Sequence, residues 1–397
     1  MGVFFSRLFP IGMRRRWWMF RPIDLIVALC PSPSKRPKSG LLVVRMDGLG
    51  DMVLFRRALD HYPAAFNVPV EEITILGCRS WASLATDIFK GFRVVALDEV
   101  AFEKRFFYRL KWALWVKRQG FKTAVCDMFF RKTLTADGLV HMSAADERIV
   151  CRPYISAKTE AEFAYFLALA DRVIDTGSHP LHETIRHYNF LNEVGTGAHL
   201  AYEPPSLPWR DRLPPDPVRG EEGDAPYVLF NFGSNEPGRK WPFTRFLDMT
   251  DRVRERGYRV VFAGGPRERE LAAQIDARFG SDPQVINMVG RDTLPQLLDM
   301  IRHAYAILTT ETGPGHFACV MGAPTLMICG GGHDTTFVPF PDEIRPETAH
   351  FINHPMDCYY CLWRCPLRQN PTDSFPCVSN VTQDAVWVEF EKLVPAR

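Results

Sequence analysis

The stretch that decides the fold is "YAILTTETGPGHFACVMGAPTLMIC", residues 305–329. Its first part, "YAILTT" (305–310), is an apolar run of strand length. A glycine-rich turn follows, Glu311-Thr312-Gly313-Pro314-Gly315. His316 then opens a short helix, and "PTLMIC" (324–329) reads as a second strand. Strand, helix and strand in that order make a βαβ unit, and so a parallel sheet.

The same alternation extends on both sides. Upstream lie the strand-like runs "YVLFN" (227–231) and "RVVFA" (259–263), with helical stretches predicted at about 243–256, 266–279 and 293–303. A first series is formed by "LLVVR" (41–45), "ITIL" (73–76), "RVVAL" (93–97) and "TAVCD" (123–127). Near-continuous apolar runs suit strands covered on both faces. Seven prolines between residues 204 and 226 separate the series, and proline density of that kind reads as a linker. The predicted layout is a basic segment over 1–39, a Rossmann-like domain over 40–203, the linker 204–226 and a second Rossmann-like domain over 227–380. A C-terminal helix within 381–397 is expected to pack back on the first domain. A chain of 397 residues accommodates two such cores.

Net charge is only +2, so nothing global calls for nucleic acid. Residues 1–38, however, carry eight basic residues against the single acid Asp24, together with Phe4, Phe5, Phe9, Trp17, Trp18 and Phe20. Arginine mixed with tryptophan and phenylalanine suits an anionic membrane surface, and a solvated tail is the plainer alternative. No apolar run reaches 18 residues, so no spanning helix is expected, and no secretory signal is evident.

Ligands of doubly wound sheets bind beyond the carboxyl ends of the strands. Four loops occupy such positions. In "RMDGLGDMVLF" (45–55), Asp51 stands at a predicted helix start, as a plain N-cap or as a general base. In "FNFGSNEPGRKWPF" (230–243), Gly233, Ser234 and Lys240 suit phosphate oxygens. "FAGGPRERE" (262–270) puts Gly264 at a tight βα turn where a base ring could approach the backbone. In the turn after "YAILTT", backbone N–H groups near Gly313 offer an anion site, whereas Glu311 repels phosphate. An anion site beside a carboxylate suits a ligand with phosphate at one end and hydroxyls at the other, which is a nucleotide sugar. The two-glycine loop at 48–50 lacks the full G-x-G-x-x-G of a nicotinamide-binding fold.

Taken together, "GLGDMVL", "GRKWP", "TTETGPGHFACVMGAPTLMICGG" and the segment "CYYCLWRCPL" with "FPCVSNVT" resemble glycosyltransferase family nine, the ADP-heptose:lipopolysaccharide heptosyltransferases. The resemblance runs over roughly residues 40–390, with the motifs in family order. It implies a GT-B fold, two Rossmann-like domains facing across a cleft. It also implies inverting transfer of a sugar from an NDP-sugar, usually ADP-heptose, to a lipopolysaccharide core acceptor, without a required metal cofactor, on the cytoplasmic side of the membrane. By the same resemblance Asp51 is the general base, and Gly233, Ser234, Lys240 and Gly313 lie at the donor phosphates. Glu311, Thr312 and His316 lie at the donor sugar and nucleotide, and the tight turn at Gly264, read from its glycines alone, is added to that set. Glu311 stands where the family usually has Asp. The alternatives are another NDP-sugar donor, a nucleotide-sugar epimerase, or a non-catalytic sugar-nucleotide or membrane-surface binding protein.

Ten cysteines are present, four of them spaced C-x2-C-x3-C-x11-C: Cys358, Cys361, Cys365 and Cys377. The first pair has metal-ligand spacing, and structural zinc or an iron–sulfur cluster is one reading. Reduced thiols or a disulfide are the other readings.

Overall fold

The computed structural model describes residues 11–31, 37–195, 197–218, 225–280 and 282–397. Of the basic aromatic segment, Phe4, Phe5, Arg7, Phe9, Lys35 and Arg36 lie outside the described residues.

Contacts divide the chain into two units. The first comprises residues 1–48, 58–179 and 183–201, and the second residues 49–57, 180–182 and 202–397. The short excursions 49–57 and 180–182 are not visible in the sequence pattern, which places both in the first domain.

The first unit holds six parallel strands: β1 (Leu41–Arg45), β2 (Ile73–Cys78), β3 (Arg93–Leu97), β4 (Thr123–Cys126), β5 (Glu147–Cys151) and β6 (Arg172–Ile174). Their order is β3-β2-β1-β4-β5-β6. The second unit repeats the order with β7 (Tyr227–Asn231), β8 (Arg259–Ala263), β9 (Val285–Asn287), β10 (Ala306–Thr310), β11 (Thr325–Ile328) and β12 (Ala349–Ile352), arranged β12-β11-β10-β7-β8-β9. Every pairing is parallel. Each sheet therefore reverses its strand order once, between β1 and β4 and between β7 and β10, and a doubly wound sheet opens its binding crevice there. The α/β class with two Rossmann-like sheets, expected from the sequence, is what the chain adopts. All five residues of β1, β7, β8 and β10 are buried, as two-sided coverage requires, while the edge strand β3 is buried only at Leu97.

Two helices carry candidate site residues, and two others form part of the surface of the first unit. Helix α1 (Arg15–Leu29) lies on the first unit and buries Trp17, Phe20, Ile23 and Val27, spaced three and four apart on one face. Each such side chain contributes roughly 1.5–3 kcal/mol of apolar burial, so this part of the segment is fastened rather than a loose tail. Helix α2 (Leu49–Leu59) carries Asp51 in its first turn. Helix α3 (Phe106–Gln119) packs against α1. Its Lys117 Nζ donates to the carbonyls of Val27 (2.5 Å) and Cys30 (2.6 Å), satisfying orphan acceptors at the α1 C-terminus. Helix α4 (Gly313–Val320) is the short helix after β10.

The C-terminal helix, Gln383–Phe390, is part of the second unit. Its Val386 and Phe390 belong to the second unit's core with Phe230, Phe246 and Val253. Arg252 and Arg256 pair with Asp384 and Glu391 on its outer side. The proline-rich stretch also docks on the second unit, where Trp209 Nε1 and Arg210 Nη1 both donate to the Asp299 carboxylate at 2.9 and 2.7 Å. The burial of Val386 and Phe390 in one core decides their partner, and neither the period nor the charge of that helix reveals which sheet it covers.

Candidate functional site

The carboxyl ends of β7 and β10 form the switch point of the second sheet. Asn231, last in β7, donates through Nδ2 to Thr309 Oγ1 (3.1 Å) and Thr312 Oγ1 (3.4 Å), tying the two strand ends together. Glu311 follows β10 and is 2% exposed. Arg239 Nη2 donates to its carbonyl oxygen (2.6 Å) and to Oε1 (3.3 Å), and the Gly330 N–H donates to Oε2 (3.2 Å). Burial pushes the Glu311 carboxyl up to about 7, against the pull of Arg239 and Gly330, and nearby Asp334 adds to the rise. The group is thus poised near neutrality.

His316, on the first turn of α4, is 4% exposed. Burial, then Arg239 and His182, push its imidazole down to about 3, so the ring is neutral. Its Nδ1 and the Thr310 Oγ1 are buried with no hydrogen-bond partner among the described residues. Unpartnered buried polar atoms are rare and call for an explanation, and at a switch point a bound ligand is one.

The N-terminus of α2 is seated on this turn, within the second unit. A Cβ added to Gly50 would lie 2.8 Å from His316 Cδ2, and one added to Gly313 would lie 2.9 Å from Leu49 Cβ. Only glycine permits either approach. The two residues preceding Asp51 therefore rest on the residues predicted to hold the donor.

The other predicted residues gather around a second carboxylate. Lys240 Nζ lies 2.9 Å from Glu268 Oε1, and Glu268 is 4% exposed. Gly233, Gly264 and Gly265 border the Glu268 side chain. The Ser234 hydroxyl accepts from the Glu236 N–H (3.3 Å). Arg239 and Lys240, adjacent in sequence, thus diverge to Glu311 and Glu268. Sequence reasoning singled out Lys240 but not its counter-charge, nor the link between Arg239 and Glu311. Glu268 sits 28 residues from Lys240, and no short motif connects them.

Sequence reasoning also passed over a buried cluster at the switch point of the first sheet. Arg45 Nη1 donates to Asp127 Oδ1 (2.6 Å), His187 Nδ1 lies 2.7 Å from Asp127 Oδ2, and Asp47 pairs with Arg45. Burial alone would raise the Asp127 carboxyl, but Arg45 and His187 hold it well below the usual carboxylate range. The cluster anchors the start of the loop that leads to Asp51.

Cys358, Cys361, Cys365 and Cys377 line one small cavity with Trp363 and Phe375. All are free thiols. Burial pushes Cys361 up and Cys377 up to about 11. As placed, no three His, Cys, Asp or Glu among the described residues form a group that could hold a metal ion. The loop around them is unusual in that Tyr360, Leu362 and Trp363 have positive φ, and the Tyr360 and Leu362 N–H groups donate to Gly331 and Gly332.

The chain is similar to several known proteins. Residues 162–358 match the family model for glycosyltransferase family 9 (heptosyltransferase). Lipopolysaccharide heptosyltransferase 3 of Escherichia coli K12 is 25% identical over 119 residues, 30% of this chain and 35% of that protein. Lipopolysaccharide heptosyltransferase 1 of Pseudomonas aeruginosa is 30% identical over 107 residues, 27% and 29% respectively. The matched segments thus span about a third of these relatives' length. Among solved structures, a family 9 glycosyltransferase from Veillonella parvula superposes with a TM-score of 0.66 at 16% identity, over 91% of this chain and 99% of the other. The E. coli heptosyltransferase WaaC with ADP-2-deoxy-2-fluoro heptose superposes with a TM-score of 0.62 at 13% identity, over 89% and 99%. Identities that low establish the fold alone. Residues 162–358 are thus similar in sequence to glycosyltransferase family 9 (heptosyltransferase), and the chain shares the fold of solved members of that family.

Proposed function

We propose that the protein is an inverting glycosyltransferase that moves heptose from ADP-heptose to a lipopolysaccharide core acceptor. The observation that carries this reading is the seating of the α2 N-terminus on the Gly313–His316 turn, beside the buried Glu311. Asp51, one residue past that contact, takes the proton of the acceptor hydroxyl as the new C–O bond forms, when that oxygen becomes acidic. Attack by the hydroxyl on the face opposite the departing diphosphate inverts the anomeric carbon. Lys240, Ser234 and the N–H groups near Gly233 and Gly313 stabilise the charge growing on the leaving diphosphate. Lys240 does so by sharing its ammonium between Glu268 and phosphate oxygens. Glu311, with Thr312 and neutral His316, accepts and donates hydrogen bonds to the sugar hydroxyls, and Gly264 gives the nucleotide base room at the backbone.

Heptose rather than another sugar is favoured by the family match and by the two relatives named for lipopolysaccharide heptosyl transfer. A lipopolysaccharide acceptor places the work at the inner face of the cytoplasmic membrane, and among the described residues no helix is long and apolar enough to cross one. The transfer itself needs no metal in this scheme. The test is a donor screen: ADP-, UDP- and GDP-sugars are each incubated with a lipopolysaccharide core acceptor, and nucleotide release and acceptor mass are followed. ADP-heptose should give acceptor-dependent ADP release and a heptose mass increment. Turnover with a different donor only, or sugar-nucleotide conversion without acceptor, would defeat the reading.

A further inference from the structure

We infer that the outer sides of helices α1 and α3 form a docking face for an anionic bilayer surface. Helix α1 buries Trp17, Phe20, Ile23 and Val27, yet its opposite side is also apolar. Trp18, Met19, Leu25, Ile26 and Leu29 are 41%, 48%, 43%, 40% and 86% exposed. They recur at helical spacing on one stripe, with Pro22 between them. A water-facing stripe of that composition is costly, and isolated exposed apolar residues do not line up so. At its start stand Arg14, Arg15 and Arg16, all exposed, with Arg14 paired to Glu162 and Arg16 to Glu103.

Helix α3 and the residues that flank it supply charge. From Lys104 to Lys122 the chain has seven basic residues and no acid. Two of the seven are turned inward: Arg109 lies over the rings of Phe20 and Phe102, and Lys117 caps α1. Lys104, Arg105, Lys111 and Arg118 are exposed, and beside them Phe107 is 81% exposed. Packing against a charged partner protein would call for specific acids opposite each cation. A tryptophan–leucine–isoleucine stripe next to a cationic helix without acids matches instead the acyl boundary and anionic headgroups of a bilayer. Helix α1 would lie in the plane of the interface, with Lys111 and Arg118 of α3 and the preceding Lys104 and Arg105 at headgroup level. The face takes no part in the transfer chemistry, so vesicle binding and heptosyl transfer are read separately and either can fail without the other.

The experiment is co-sedimentation of the full chain with phosphatidylcholine vesicles, with or without phosphatidylglycerol. Binding to the anionic vesicles should be at least about tenfold tighter than to neutral ones and should weaken with added salt. The combined variant Lys104→Gln, Arg105→Gln, Lys111→Gln and Arg118→Gln should lose at least about tenfold on anionic vesicles. The variant Trp18→Ser with Leu25→Ser should weaken binding to both. All six side chains are exposed, so circular dichroism should match wild type, and transfer to a soluble core acceptor should be unchanged. Absence of vesicle binding, equal binding to both vesicle types, or binding indifferent to both variants would overturn the assignment. So would concentration-dependent self-association abolished by Trp18→Ser with Leu25→Ser, which would make the stripe a contact between copies of this chain.

Discussion

Glu311→Gln isolates a carboxyl of the candidate site that burial pushes up. The wild-type group is buried, and its pKa stands at about 7 against an ordinary 4.5. The folded chain therefore holds that proton more tightly than the unfolded chain, and folding takes one up between those two values. The contribution to stability is complete below pH 4.5 and is lost as pH rises through 7. The displacement corresponds to roughly 3 kcal/mol across that window. Glutamine keeps the side-chain shape and one acceptor, and the strongest Arg239 contact goes to the Glu311 carbonyl, which the substitution leaves in place. At low pH the variant should be about 1 kcal/mol less stable than wild type, the cost of one imperfect hydrogen bond. Above pH 8 the order should reverse, because only wild type then carries a buried charge. Urea unfolding of both proteins at intervals from pH 4.5 to 8.5 measures the difference directly, and common titrating groups cancel in it. A stability difference that stays constant across the series would refute the claim that Glu311 is protonated near neutrality.

Other expectations concern the paired charges and the thiols. Lys240→Ala leaves Glu268 buried without its partner and should cost about 3 kcal/mol of stability as well as ADP affinity. Adding Glu268→Gln should restore most of the stability in a denaturation assay but none of the ADP binding in calorimetry; recovery of both would make Lys240 purely structural. For the cysteine cavity, elemental analysis of purified protein should find zinc and iron well below stoichiometric, with four thiols titrating at residues 358, 361, 365 and 377 under denaturing, non-reducing conditions. One equivalent of either metal would show that the loop rearranges around an ion.

The sheets were legible because their central strands are covered on both faces and so write themselves as unbroken apolar runs. "LLVVR", "YVLFN" and "RVVFA" are strands from end to end. The strands passed over, such as β6 with "RVI" and β12 with "AHFI", are short, lie at sheet edges and keep partial exposure, so their pattern fades. Asp51, Glu311 and His316 stood out as candidates because each follows a strand in a glycine-rich loop. What stayed hidden were partnerships across long sequence distance: Arg45 with Asp127, 82 residues on, and Asp127 with His187, a further 60. Charges in such pairs look like ordinary surface residues until the fold buries them. Helix α1 misled for a different reason: it is apolar on two sides, and its hydrophobicity alone does not reveal that one side is core.

The proposed chemistry rests on the carboxylate of residue 51 acting on an acceptor beside the donor turn. Single-turnover transfer of heptose from ADP-heptose by the Asp51→Ala protein, alongside ADP affinity by calorimetry, tests it most directly. The expected rate is lower by about 10²–10⁴-fold, the span of general-base catalysis, with ADP affinity within a few-fold of wild type. Transfer at the wild-type rate would contradict it.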